Sequence, residues 1–219
     1  MTFSCYELQK PIELNENEIS TLVIENNVFY RNFVSDILLQ SQNCSSRFAV
    51  FEGNDPIDFA KKTAIITDIF GISFGSRAIQ NKINQIAAEE YDLLSDGDLL
   101  NKINEAGAAI LASLNFEADY DPIPDFSGII KLFGFHIDDE SLSLPERIIE
   151  YISFLNQYCE KKLFILLNLK TVLNKSEFRE FVKMVQYKKI CVFLIENHMS
   201  EITDKSEKIR IIDKDLCEF

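Results

Sequence analysis

The sequence predicts an α/β protein, with a parallel-rich sheet built from both ends of the chain and an αα-hairpin inserted between them. Three observations carry this. "KKLFILLNL" (161–169) and "KICVFLIEN" (189–197) are apolar almost throughout, as strands buried on both faces are. A helix-period segment separates them, the strand–helix–strand order that feeds parallel pairing. Between residues 76 and 115 the pattern is helical on both sides of a Ser95-Asp96-Gly97 turn.

The elements follow in order. Short β-like runs open the chain at Phe3–Leu8 and Thr21–Glu25, and Asn26 or Asn27 caps a helix to about Leu39. Its apolar positions Val28, Phe29, Phe33, Ile37 and Leu38 keep near-helical spacing. "RFAVFEG" is a strand ended by Gly53 and an Asp55-Pro56 turn, and "TAIITDIFG" is another strand-like run.

A helix from about Ser76 to Leu94 carries the stripe Ile79, Ile83, Ile86, Ala87 and Leu94, with Glu89 and Glu90 outside it. Its partner runs from about Leu99 to Asn115, with Ile103, Ala106, Ile110, Leu111 and Leu114. A helix of about 18 residues spans about 27 Å, long enough to project from a core. A short helix covers Phe126–Phe133. Ser143, Pro145 and Glu146 form a capping-box start for a helix to Tyr158, and Asn174 caps another. "KIRIIDKDL" is a third strand after the two apolar ones. The predicted domains are a head from 1–70 and 141–219 and a helical leg from 71–140.

Apolar residues make up 47% of the 219 positions, ordinary for a globular core. No apolar run reaches the roughly 18 residues of a membrane span, and Met1–Lys10 lacks the form of a signal peptide. A cytoplasmic address with no membrane partner is expected. The five cysteines, Cys5, Cys44, Cys159, Cys191 and Cys217, form no CxxC pair, so zinc is not expected and the thiols should stay reduced. Cys159 and Cys191 lie in apolar stretches and should be core residues.

The net charge is −13. Up to Glu150 there are 10 basic and 25 acidic residues; from Tyr151 onward there are 12 and 10. Such a chain repels phosphate at long range. It can bind nucleic acid only through a concentrated basic surface or through bound cations.

A strand–helix core invites a search for a phosphate loop, which needs GxxxxGK[ST]. None exists. "GISFGSR" (Gly71–Arg77) has the wrong spacing and ends in Arg, and reads as a turn before a helix. "LFILLNLK" has the shape of a strand that ends in a magnesium-holding Asp, yet the position is the neutral Asn168. His136 and His198 belong to no nucleophile motif, and no catalytic residues are expected.

The segment "NFEADYDPIPDF" (115–126) holds Glu117, Asp119, Asp121 and Asp125. The first three alternate, so an extended chain projects them to one side. Asp138, Asp139 and Glu140 follow. Calcium takes 6–8 oxygens from such groups; a solvated acidic loop is the alternative reading, and the residues alone leave both open.

"TLVIEN", "ITDIFG", "FEADYD", "KKLFILLNLKTVLNKSEF" and "IRIIDKDL", in this order and spacing, resemble the small CRISPR type II-A adaptation protein family that forms rings on double-stranded DNA ends. The resemblance spans essentially the whole chain. It implies a degenerate P-loop-NTPase-like head, a helical leg, a homotetrameric ring with a basic inner hole, and structural calcium. It implies no enzymatic activity, and partnership with the CRISPR integrase and RNA-guided nuclease in spacer acquisition. On this resemblance Glu117, Asp119, Asp121, Asp125 and Glu140 are the expected calcium ligands. Lys131 in "IIKLFG" is the first expected DNA contact, with Lys82, Lys102 and Arg77 on the hairpin. The rivals are a nucleotide hydrolase with an atypical phosphate site and a protein–protein scaffold that never touches DNA.

Overall fold

The structure is a computed structural model that describes residues 1–94, 98–201 and 204–219. The chain divides into two compact units, Met1–Ile72 with Glu140–Phe219, and Ser73–Asp139.

The first unit is α/β. Its main sheet holds β3 (Ile19–Ile24), β6 (Thr63–Ile66), β7 (Leu163–Leu167), β8 (Cys191–Glu196) and β9 (Glu207–Ile212), in the order β6-β7-β8-β3-β9. Every pairing is parallel. The apolar runs behave as read: β3, β7 and β8 are buried along their whole length. Their side chains alternate between two cores. Leu22, Ile24, Ile165, Phe193 and Ile195 face α1 (Asn27–Ser41), meeting Phe33 and Ile37. Phe164, Leu166, Val192 and Leu194 face α6 (Leu144–Tyr158) and α8 (Lys175–Tyr187), meeting Ile148, Ile152, Phe178 and Phe181. This is the two-sided burial that parallel sheets require.

The helix starts follow local chemistry. Glu146 Oε2 accepts from the Ser143 backbone N–H at 2.8 Å, and Asn174 Oδ1 accepts from the Ser176 and Glu177 amides at 2.9 and 3.1 Å. Glu177 Oε2 returns the contact by accepting from the Asn174 amide at 2.8 Å. These bonds satisfy amides that have no intrahelical partner.

A small antiparallel sheet differs from the sequence reading. It joins β1 (Thr2–Ser4), β2 (Ile12–Glu13), β4 (Ala49–Glu52) and β5 (Asp55–Pro56) in the order β2-β1-β4-β5. The expected Asp55-Pro56 turn is instead the return strand of a hairpin, in register with Phe51 and Glu52. The reversal lies at Gly53, whose φ of +66° suits a residue without a Cβ. Two further short helices, α2 (Phe59–Lys62) and α7 (Leu169–Val172), fell inside runs read as loop or strand ends. Cys191 is buried as expected, whereas Cys159 is only half-buried.

The second unit holds α3 (Arg77–Leu94), α4 (Asp98–Ser113) and α5 (Ser127–Phe133). The expected Ser95-Asp96-Gly97 turn lies outside the described residues, as does the side chain of Leu94. Phe126, Ile129 and Ile130 make a small core with Ala87, Ala88 and Tyr91 of α3 and Leu100 and Ile103 of α4. Tyr91 stacks on Phe126 with ring centroids 3.6 Å apart. Gly134, at φ +64°, ends α5 in the left-handed conformation that favours glycine. The α4 stripe is not buried as its pattern implies: Ile103 is half-buried, but Ala106, Ile110 and Leu114 are exposed.

Candidate functional site

Ligands of open α/β sheets bind outside the carboxyl ends of the strands, so that edge of the first unit comes first. After β3 the chain runs Glu25-Asn26 into α1. Asn26 Oδ1 accepts from the Val28 and Phe29 amides at 3.1 and 3.0 Å, and its Nδ2 donates to the Lys214 carbonyl at 2.9 Å. Amides that would face a phosphate are therefore occupied by the chain's own side chain. At the end of β7, Asn168 sits at φ 53°. Its Nδ2 donates to Tyr30 Oη at 2.9 Å, and its Oδ1 accepts from the Asn197 amide at 3.0 Å. Asn168 thus ties β7, β8 and α1 together.

Beside it lies a polar cluster that the sequence reading missed. Lys170 Nζ donates to Glu207 Oε1 and Oε2 at 2.9 and 3.1 Å, and Thr21 Oγ1 donates to Glu207 Oε1 at 2.9 Å. The Lys170 and Glu207 side chains are 5% and 0% exposed. Glu196 ends β8 and accepts on Oε1 from the Lys170 amide at 3.1 Å. The one available signal was a charged residue at the edge of an apolar strand, and that position is ordinary for a solvated strand end. The "GISFGSR" stretch is a turn, with Asp68 Oδ1 accepting from the Phe70 and Gly71 amides at 3.0 and 2.9 Å before α3 begins at Arg77.

The acidic segment belongs to the second unit and is anchored by residues that carry no charge. Asn104 of α4 donates from Nδ2 to the Ile123 carbonyl at 3.0 Å and accepts from the Ile123 amide at 2.9 Å. Tyr120 Oη donates to the Asn104 carbonyl at 2.9 Å. Its ring lies against Gly107, where an added Cβ would meet Tyr120 Cε2 at 2.9 Å. Tyr120 packs on α4 while its neighbours Asp119 and Asp121 are exposed, as is Glu117.

The carboxylates are the right kind of donor for a hard cation. Among the described residues, no three His, Cys, Asp or Glu side chains gather at one metal-sized position. Asp125 Oδ1 accepts from the Ser127 amide at 2.9 Å and from the Ser127 hydroxyl, which hold its carboxyl below the usual range. Asp119 Oδ1 accepts from the Tyr120 amide at 2.8 Å. Glu140 lies in the first unit, apart in sequence from the other four.

All four basic candidates lie in the second unit. Arg77 opens α3 and is exposed, and Lys82 is half-buried with Nζ donating to Gln85 Oε1 at 3.3 Å. Lys102 on α4 and Lys131 on α5 are exposed. Lys131 stands close enough to Asp125 to help hold that carboxyl ionised.

A family model described as CRISPR-associated protein (Cas_Csn2) matches residues 43–216. No curated protein matches the chain. Among solved structures it is similar to Stu0660 of Streptococcus thermophilus, with a TM-score of 0.57 and 15% identity over 97% of this chain and 75% of that one. It is also similar, at a TM-score of only 0.42 and 6% identity, to a putative ABC transporter (ATP-binding protein) from Pyrococcus furiosus, over 95% of this chain and 97% of that one. The first likeness establishes a shared fold; the second is too slight to bear on nucleotide chemistry.

Proposed function

The chain belongs to the Cas_Csn2 family of CRISPR-associated proteins, and from that premise we propose that it is a non-catalytic, sequence-independent binder of linear double-stranded DNA ends. It does so as a homotetrameric ring that supports spacer acquisition beside the CRISPR integrase and RNA-guided nuclease. The family match over residues 43–216 carries the proposal.

Two structural features support parts of it. At the carboxyl edge of the sheet Asn26 fills the first amides of α1 itself, and Asn168 stands where an acidic metal ligand would be needed. A binding role without nucleotide turnover fits that edge. Leu99, Ala106 and Ile110 of α4 and Leu114 just beyond it are exposed, Ile110 at 62%, on a helical stripe shared with the half-buried Ile103. A continuous apolar stripe suits a partner helix, and a second copy of the chain is the occupant that a ring supplies.

Light scattering on a sizing column tests the assembly. Wild-type protein should run as a tetramer with no ATP turnover. Ile110→Glu with Leu114→Glu should shift it to smaller species while circular dichroism stays unchanged. A tetramer that ignores both charges would place the contact elsewhere, and a wild-type monomer would remove the ring.

Calcium enters only through donor type, as no three carboxylates gather at one position among the described residues. A ligand bound only to the folded form stabilises it by mass action. Chelation should therefore lower the wild-type melting temperature, and Glu117→Ala with Asp119→Ala and Asp121→Ala should abolish the difference. Identical melts with calcium and with chelator would leave the segment as a solvated acidic loop.

A further inference from the structure

Glu196 is 1% exposed. Its Oε1 accepts from the Lys170 amide, and its Oε2 has no hydrogen-bond partner among the described residues. A cation is close by but already engaged: Lys170 Nζ donates to both oxygens of Glu207, to the Glu201 carbonyl at 3.1 Å, and lies 5.3 Å from the centre of the Phe178 ring. Thr21, the other polar group of the cluster, also gives its hydroxyl to Glu207.

One lysine therefore serves two buried carboxylates, and its ammonium goes to Glu207. An ionised carboxylate buried without a cation is costly, and such a group neutralises instead. From this arrangement we propose that Glu196 is a proton-binding residue, neutral in the folded chain well above the pH at which an exposed glutamate ionises. The carboxyl edge of the sheet is thereby a pH-sensitive element.

The groups facing Glu196 come from three elements. The Leu169 and Lys170 amides and the Lys170 ammonium of α7 favour its charged form; Glu207 of β9 opposes it. Tyr30 of α1 is held above its usual range chiefly by burial, and also by this carboxylate. Burial outweighs the rest and pushes the Glu196 carboxyl up to about 7.

The direction of the effect is fixed by linkage. A carboxyl raised on folding binds its proton more tightly in the folded chain, so its stabilising contribution is full below the unfolded value. That contribution is lost as pH rises toward about 7. Ionisation would loosen the edge that Glu196 shares with Lys170, Asn168 and Asn197.

The test compares wild type with Glu196→Gln, which keeps the shape and cannot ionise. Denaturant melts from pH 5 to pH 8 should show the wild-type unfolding constant rising against the variant's by up to about tenfold per pH unit between about 5 and about 7. Taking the difference removes the contribution of groups that do not interact with Glu196. A difference that stays constant across this range overturns the proposal. Should the variant not fold, carbon NMR of the wild-type side-chain carboxyls decides. One glutamate titrating near 7 supports it, and titration of all of them below about 5.5 overturns it.

Discussion

Lys170→Met should be the most damaging single change at the carboxyl edge of the sheet. It keeps the length and the apolar stem of the side chain and removes only the ammonium. Among the described residues, Glu207 is then left as a fully buried carboxylate with only the Thr21 hydroxyl as partner. Breaking a buried pair from one side costs about 3–5 kcal/mol. For a chain of this size each kcal/mol lowers the melting temperature by about 2–4 °C. A fall of roughly 6–20 °C is expected in a thermal melt. Lys170→Met with Glu207→Leu should recover much of it, because apolar replacement of a whole buried pair is often neutral. A single mutant within a degree or two of wild type would show that the pair is far more hydrated than its burial implies.

That pair marks a boundary of what the sequence discloses. The strands "LFILL" and "CVFLIE" were legible because burial on both faces leaves an uninterrupted apolar run. The helix starts at Ser143 and Asn174 were legible because their partners lie three residues away. Lys170 and Glu207 are 37 residues apart, and only the pairing of β3 with both β8 and β9 brings their elements together. The antiparallel sheet was missed because two of its strands have only two residues each, too few for any period to show.

The candidate site divides in the same way. The acidic composition of 115–126 is plain in the sequence. Its anchoring is not, since Asn104 and Tyr120 carry no charge and their partners are backbone atoms. The exposed α4 stripe misled in the opposite direction. Its spacing correctly signals a helix with one apolar face, but Ala106, Ile110 and Leu114 on that face are exposed. Lys131 is a candidate only through the family resemblance, and Arg77, Lys82 and Lys102 only through their place on the hairpin, because an isolated basic residue on a polar helix face has no pattern of its own.

The second large effect concerns DNA. A chain with a net charge of −13 binds a polyanion only through a local concentration of lysine and arginine or through bound cations, and the basic surface is the route that mutation can test. Contacts of that kind go to phosphates and read no sequence. Each neutralised phosphate adds about 0.9 to the slope of log K against log salt. Lys131→Glu should weaken binding to all duplexes alike and flatten that slope, with the oligomer intact. Four copies of each contact in a ring make the loss larger than that of one lysine.

A ring that encircles duplex DNA must thread from an end, so topology tests the central claim most directly. Binding should be measured on one plasmid sequence in two forms, linearised and covalently closed, at the same salt and length. The account predicts binding to the linear form and none to the closed circle, with affinity regained when the circle is cut. Equal affinity for both forms would contradict threading and leave a scaffold with an incidental basic surface as the better description.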